Sequence, residues 1–151
     1  VSGAGYSGVT SMEIIDNAIP HIGGEEEKME TESQKLLGTF DGAQVQWHDV
    51  DVSASCNRIP TLDGHLENVF ADLVEDATPE DVAEAFEAFP SADRPQPRLD
   101  RNRDNGMSIS TGGIQSTTGG VQFNCLAHNT LRGAAGASIL NGELLLETGY
   151  I

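Results

Sequence analysis

The spacing of apolar and polar positions changes period several times along the chain. Alternation at every second residue predicts strands, and recurrence at every third or fourth residue predicts helices. The predicted strands are residues 44–56 (with a bulge near Asp49), 66–74, 107–111 and 121–127. The predicted helices are residues 25–37, a helix that starts at Thr78 with Val82, Phe86 and Phe89 on one face, and residues 132–148. The stretches 1–11 and 90–106 have no period and are predicted loops, and Pro20 interrupts the mixed stretch 12–23.

Residues at the helix ends support these assignments. Glutamates crowd the first turn after Glu25, where the helix dipole favours them, and Gly38 is a predicted stop signal. Thr78 followed by Pro79 is typical of a helix start. Strands and helices are mixed without strict βαβ alternation, and no internal repeat is visible. We therefore expect one α+β domain over residues 1–151, with a mixed or antiparallel sheet and helices on one face.

The charge balance excludes several kinds of partner. The 151 residues carry 24 acidic and 8 basic side chains, a formal net charge of −16. A surface this acidic repels phosphate backbones and anionic lipids, so we expect neither nucleic-acid nor membrane binding. Lys28 and Lys35 are the two lysines. Scarce lysine beside excess acid favours adaptation to high salt, although an ordinary acidic protein remains the alternative.

No apolar run reaches bilayer length and no secretory signal is visible, so we expect a cytoplasmic protein. Cys56 and Cys125 lie in apolar, strand-like surroundings and are predicted to be buried free thiols. No histidine or cysteine spacing is typical of a metal site.

One glycine-rich segment matches a dinucleotide-binding pattern. Gly3, Gly5 and Gly8 fit G-x-G-x-x-G, but only two residues precede them and the motif needs a preceding strand. A true Rossmann turn is therefore disfavoured here, and a glycine-rich loop close to some ligand stays open.

Four further segments carry candidate chemistry. Glu25 and Lys28 lie three residues apart on one helix face, suited to an ammonium and a phosphate or to a solvated first turn. Arg58 and His65 surround one connection, suited to carboxylate recognition and acid/base work or to a plain surface loop. The arginine-rich stretch 94–101 suits a subunit bridge, an anion anchor or an ion-paired loop. In the stretch 128–136, His128 is predicted to be structural.

Taken in order, five segments resemble the carboxyl-terminal half of the aspartate-semialdehyde dehydrogenases. The segments are SGAGYSG, IDNAIPHIGGEEEKMETESQKLLG, CNRIPTLDGHLE, RPQPRLDR and HNTLRGAAGASILNGEL. The resemblance is to the archaeal and fungal branch, and the acidic composition suggests a haloarchaeal member. It implies NADPH-dependent reduction of aspartyl phosphate to aspartate semialdehyde in lysine, threonine and methionine synthesis.

The resemblance also implies a role for particular residues. His65 corresponds to the acid/base histidine, Arg58 to the arginine that binds the substrate carboxylate, Glu25 to the glutamate that contacts the substrate amino group, and Lys28 to the phosphate-binding lysine. In a separate set, the residues expected to contact NADP are Ser2, Gly3 and Asn129. A dimer or tetramer through this domain is implied.

The 151 residues depart from the family pattern in three ways. They hold no amino-terminal Rossmann domain, towards which the helix in 128–148 is expected to return, and no cysteine in the nucleophile's context. The segment from Phe89 to Arg94 is shorter than the family's. We expect this chain alone to be inactive. The alternatives are a stand-alone, non-catalytic oligomerisation module and a reductase of another acyl phosphate or acyl thioester, such as malonyl-CoA.

Overall fold

The computed structural model describes residues 13–89 and 92–151, and the chain divides into two compact units, Val1–Pro60 and Thr61–Ile151. The strands are β1 Ile19–Pro20, β2 Thr39–Phe40, β3 Val45–Gln46, β4 Asn57–Arg58, β5 His65–Asp72, β6 Ile109–Thr117 and β7 Gly120–Ala127. The α-helices are α1 Glu25–Leu36, α2 Pro79–Ala85, α3 Pro97–Asp100 and α4 Gly136–Glu147. A short 3₁₀ segment, Arg103–Gly106, and a π-helical turn, Leu131–Ala135, complete the described elements.

The first unit combines helix α1 with two short antiparallel strand pairs. β1 pairs with β4, and β2 pairs with β3. Helix α1 begins and ends within a residue of the prediction. Gly38 follows it for a different reason than expected: a Cβ there would lie 2.3 Å from the carbonyl oxygen of Gln46. Close approach of the backbone to strand β3, not a left-handed helix end, requires this glycine.

The predicted strand over residues 44–56 is mostly wrong as a strand. Only Val45–Gln46 forms a ladder, and residues 47–56 belong to no strand. The N–H of Val50 donates to the carbonyl of His48 at 3.1 Å, which makes a tight turn near the bulge predicted at Asp49. The predicted alternation is nevertheless present, since Val50, Val52, Ala54 and Cys56 are half-buried and the residues between them are exposed. Period-two burial shows which side chains point inward, but it does not show what binds the backbone amides.

The second unit is built on a three-stranded antiparallel sheet in the order β5–β7–β6. Its strands match the three predicted for this region, and β6 is longer than expected. Two residues of β6, Gly113 and Ile114, face one residue of β7, which is a β-bulge. Gly113 has φ of +63°, so glycine suits the bulge. The α+β class with an antiparallel sheet is confirmed.

Helix α2 packs one aromatic ring against the sheet. Thr78 and Asp81 form a reciprocal capping box, with the Asp81 amide donating to the Thr78 hydroxyl at 3.2 Å. The Phe86 ring lies edge-on to that of Phe123 on β7, with centroids 5.0 Å apart. The helix ends at Ala85, so the expected extension to Phe89 is wrong, although Phe89 still contacts Phe86 edge-on.

The stretch predicted as loop over residues 90–106 contains ordered helical turns. In helix α3 the carboxylate of the buried Asp100 accepts a hydrogen bond from the backbone N–H of Gln96 at 2.8 Å. The same carboxylate forms an ion pair with Arg103 at 2.9 Å. This local pairing gives a helical turn that hydrophobic periodicity cannot predict over so few residues. No helix in the part of the chain described here is long and apolar enough to cross a membrane.

Replacing Gly120 or Gly142 by alanine is expected to have opposite effects on stability. A Cβ at Gly120 would lie 1.9 Å from the carbonyl oxygen of Ala71 on the paired strand, whereas nothing lies within 4 Å of a Cβ at Gly142 in helix α4. We expect Gly120→Ala to destabilise the chain by about 1–3 kcal/mol. We expect Gly142→Ala to stabilise it by about 0.5–1 kcal/mol. Urea unfolding measures both, and an unchanged midpoint for Gly120→Ala would contradict the β5–β7 register.

Candidate functional site

Two of the predicted site residues begin helix α1. Glu25 and Lys28 are exposed and lie three residues apart, on neighbouring positions of one helix face. No hydrogen bond or ion pair joins either side chain to any residue in 13–89 or 92–151. A carboxylate and an ammonium group are therefore presented to solvent side by side.

A hydrogen-bonded circuit connects this helix turn to the strand that carries Arg58. One carboxylate oxygen of Glu26 accepts the backbone N–H of Cys56 at 2.9 Å, two residues before Arg58. The carbonyl of Cys56 accepts the N–H of His21 at 2.8 Å, and the His21 ring contacts the other Glu26 oxygen. Arg58 itself is half-buried and pairs with Ile19 across the β1–β4 ladder. The first turn of α1 and strand β4 are thus held together.

The same helix face binds the extended segment further along. Glu30 accepts the N–H of Ala54 at 3.1 Å, and the Gln34 amide donates to the carbonyl of Val50 at 2.9 Å. Glu26, Glu30 and Gln34 are spaced four residues apart, so they share one face of α1. We call these three residues the helix clip. Its side chains bind three backbone groups of residues 50–56, the Cys56 and Ala54 amides and the Val50 carbonyl, in the absence of a strand partner there.

The contact with Cys56 changes the acidity of Glu26. The hydrogen bond from the Cys56 amide is the largest cause that lowers the pKa of Glu26 below 4.5, and the His21 side chain adds to it. Ionised Glu26 therefore stabilises the fold above its unfolded pKa, and this contribution is lost as the pH falls through its folded pKa.

In the second unit, His65 is the first residue of strand β5. It is exposed and pairs with Ala127 on β7. The preceding Gly64 has φ of +116°, and its N–H donates to the side-chain oxygen of Asn129 at 3.0 Å. Asn129 therefore holds the backbone that leads into His65, a contact that the sequence did not indicate.

His128 has the structural role that was predicted. Its ring is buried, and its Nδ1 accepts the N–H of Thr130 at 3.3 Å and that of Leu131 at 3.4 Å. An accepting Nδ1 means that the proton is on Nε2 in this tautomer. The ring thus binds the backbone at the start of the closing helix.

The two thiols are half-buried rather than fully buried. Cys56 donates weakly to the Met29 sulfur at 3.5 Å, and Cys125 lies on β7. Burial raises the pKa of Cys125, and the Glu67 carboxylate raises it further. This environment disfavours a Cys125 thiolate. Among the described residues, no three histidine, cysteine or acidic side chains could hold a metal ion.

The structure thus places the predicted residues in two groups. Glu25, Lys28 and Arg58 belong to the first unit, and His65 and Asn129 to the second. Ser2 and Gly3 lie outside the described residues. Glu26, Glu30 and Gln34 were not predicted from the sequence, although their i, i+4, i+8 spacing is typical of one polar helix face.

A family model described as semialdehyde dehydrogenase, dimerisation domain, matches residues 1–132. The match covers well over half of the chain. The chain therefore belongs to the dimerisation-domain family of the semialdehyde dehydrogenases.

Similar proteins of this family are aspartate-semialdehyde dehydrogenases of archaeal and fungal origin. The Archaeoglobus fulgidus enzyme is 47% identical, with 100% of this chain and 49% of the relative covered. The Schizosaccharomyces pombe enzyme is 41% identical over 100% of this chain and 50% of its own length. The crystal structure of the Candida albicans enzyme with NADP matches 96% of this chain and 48% of its own, at 35% identity and a TM-score of 0.83.

The chain spans about half the length of the curated relatives it matches. The match to the Archaeoglobus enzyme extends over 168 positions, so at least 17 of them have no counterpart in these 151 residues. How these positions are distributed along the chain is not fixed by the length of the match, so the shortened segment near Phe89 stays a prediction.

Titration of Glu26 tests the circuit. We expect its carboxyl, followed by NMR, to titrate below 4.5 in the wild-type chain. In His21→Ala the pKa should rise only partly, because the Cys56 amide is the larger cause. A midpoint of 4.5 or above in the wild-type chain would contradict the Cys56 contact, and a full return to 4.5 in His21→Ala would assign the shift to His21 instead.

Proposed function

We propose that the chain is the substrate-binding and dimerisation part of an aspartate-semialdehyde dehydrogenase, which reduces aspartyl phosphate to aspartate semialdehyde with NADPH. The observation that carries this proposal is the turn at the start of α1. It leaves Glu25 and Lys28 without partners in the described chain and is hydrogen-bonded to the backbone beside Arg58. These groups complement an amino acid that also carries a phosphate.

Each group of the substrate has a partner of suitable chemistry. Arg58 binds the α-carboxylate, since a guanidinium matches a carboxylate with two hydrogen bonds. Glu25 binds the α-ammonium, and Lys28 binds the phosphate as a point charge. Local cations are needed because the chain has a net charge of −16 and would otherwise repel a phosphorylated substrate.

His65 holds and releases the proton in this proposal. An imidazole changes charge near neutral pH, which suits it to general acid/base work. Support comes from its position at the start of β5, where the Asn129 contact with Gly64 restrains the backbone. The exposed ring is accessible to a substrate.

NADP is the proposed cofactor, and its reduced form, NADPH, would supply the hydride for the reduction. Of the residues proposed to contact it, Asn129 alone lies in the described part of the chain, and Ser2 and Gly3 do not. A carboxamide can hydrogen-bond to a nicotinamide, so Asn129 fits the group without making a complete site. An amino-terminal Rossmann domain would hold most of the cofactor. Helix α4, which leaves Ile139, Leu144 and Leu146 exposed, would return towards it.

A second copy of the chain is the proposed partner. One sheet face in the second unit is open and bears a shallow hollow lined by Asn68, Phe70, Arg94, Gln115, Gln122 and Asn124. Phe70 on this face is 72% exposed. An exposed aromatic side chain among amides is typical of an interface. The amides on this face are hydrogen-bonded in pairs within the sheet, Asn124 to Asn68 and Gln122 to Gln115, and a two-fold interface would use their remaining N–H and C=O capacity.

The setting is proposed from the resemblance and the composition. The protein would serve lysine, threonine and methionine synthesis in the cytoplasm of a haloarchaeon. Nucleic acids and membranes would not be partners, because the acidic surface repels both.

Kinetics of the protein expressed from the complete reading frame that contains this chain, called the full-frame protein below, test the proposal. In phosphate-dependent oxidation of aspartate semialdehyde, Lys28→Gln should raise the KM for phosphate about tenfold, equivalent to about 1.4 kcal/mol. Lys35→Gln, the same change at the other end of α1, should leave it unaltered. If Lys28→Gln and Lys35→Gln changed the KM for phosphate equally, Lys28 would not be the phosphate-binding residue. If the wild-type protein were inactive, the proposed function would be overturned.

The choice of substrate depends on two other residues. Arg58→Lys should lower kcat/KM for aspartate semialdehyde about 100-fold, because the bidentate contact is lost. Glu25→Gln should lower it about tenfold. An unchanged kcat/KM in Glu25→Gln would remove the argument for an α-amino substrate. The 151-residue chain alone should show no turnover, since neither of its cysteines matches the family's nucleophile.

Stability in salt tests the haloarchaeal origin. Raising KCl from about 0.1 M to about 1 M shortens the Debye length from about 10 Å to about 3 Å, which screens carboxylate repulsion. We expect the free energy of unfolding to rise by about 2 kcal/mol, which would raise the thermal midpoint by about 4–8 °C. Sucrose of equal osmolality serves as the uncharged control. A midpoint that responds equally to both, or falls in KCl, would indicate an ordinary acidic protein.

A further inference from the structure

The helix clip binds the extended segment at points that differ in their distance along the chain from Arg58. Glu26 binds the amide of Cys56, two residues before Arg58, whereas Glu30 binds that of Ala54, four residues before it. Glu26 is also next to Glu25 and two residues before Lys28 on the helix itself. Of the three helix-clip residues, Glu26 is the one adjacent in sequence to a proposed substrate-binding residue, Glu25.

The circuit through Glu26 restrains both backbone groups of Cys56. Glu26 accepts the N–H, and His21, whose ring Glu26 contacts, donates its own N–H to the carbonyl. The Glu26 side chain is 22% exposed and its hydrogen bond with the Cys56 amide is part-buried, whereas the His21 ring that contacts it is 70% exposed. Hydrogen bonds to a carboxylate are shorter and stronger than neutral ones. The backbone entering β4 therefore has little freedom.

We infer that Glu26 is a positioning residue, which sets Arg58 relative to Glu25 and Lys28 through the backbone of Cys56. The inference rests on the proposed function of those three residues. A bidentate arginine contact needs a fixed guanidinium, and an arginine side chain has several rotatable bonds. Because the backbone of Cys56, two residues before Arg58, is held in place, one source of variation in the guanidinium position is removed.

Glu30 offers a matched comparison. Each carboxylate accepts one backbone amide of the same extended segment from the same helix face, and both side chains are half-buried. Truncation of either removes one hydrogen bond to a backbone amide, and Glu26→Ala also removes the contact with the His21 ring. His21→Ala removes that ring contact alone and serves as the control for it. A merely structural role would leave substrate binding in Glu26→Ala like that in Glu30→Ala and His21→Ala, whatever the differences in stability, whereas a positioning role separates Glu26→Ala from both in substrate binding.

Steady-state kinetics of the full-frame protein provide the first test. Glu26→Ala should raise the KM for aspartate semialdehyde about tenfold while kcat stays within about twofold, because an interaction equal in the ground and transition states is weakened. Glu30→Ala should lower the thermal midpoint by a similar amount and leave both constants within about twofold. Glu26→Gln keeps an acceptor for the Cys56 amide, so its KM for aspartate semialdehyde should be close to the wild-type value.

NMR of the 151-residue chain provides a second test that needs no turnover. Glu26→Ala should lower the backbone order parameters of Asn57 and Arg58, and Glu30→Ala should leave them unchanged.

The two tests distinguish the failure of each idea. Equal KM values for the two alanine variants, or an unchanged KM in Glu26→Ala, would overturn the positioning role in an active protein. If the wild-type protein is inactive, the proposed function fails. In that case, order parameters that fall only in Glu26→Ala would still support the restraint of Arg58 by Glu26. Equal order parameters in the two alanine variants would overturn this restraint too.

Discussion

The hydrogen bond from the backbone of Cys56 to the carboxylate of Glu26 is the contact on which the first unit depends. Residues 47–56 belong to no strand, so their amides need acceptors other than a strand partner. Glu26 and Glu30 supply two of them from one helix face. Because the same helix begins with Glu25 and Lys28, satisfying the backbone also holds the candidate binding residues beside the strand that carries Arg58.

The second unit uses a similar device on a different scaffold. There a sheet satisfies its own backbone, and a side chain is needed only where the strand begins. Asn129 accepts the amide of Gly64, next to His65, and His128 accepts amides at the start of the closing helix. In both units a polar side chain binds the main chain within two residues of a candidate functional group. The preorganisation of these groups is therefore built into local backbone contacts.

The sequence predicted the elements whose signals are local. The capping residues of α2 and the acidic start of α1 located both helix starts, and alternation located β5 and β7. Alternation could not reveal that the partner of residues 50–56 is a helix. The turn of α3 depends on one buried aspartate. The resemblance supplied Glu25, Lys28, Arg58 and His65, whereas Glu26 and the Gly64–Asn129 contact required the folded backbone, because their partners are distant in sequence.

A crystal structure of the full-frame protein soaked with aspartate semialdehyde and phosphate tests the central claim most directly. The account predicts the substrate carboxylate on the Arg58 guanidinium, its ammonium within hydrogen-bond distance of Glu25, and phosphate on Lys28. The Glu26–Cys56 contact should be unchanged from the 2.9 Å found here. Ligand bound elsewhere, with no contact to Glu25, Lys28 or Arg58, would contradict these assignments.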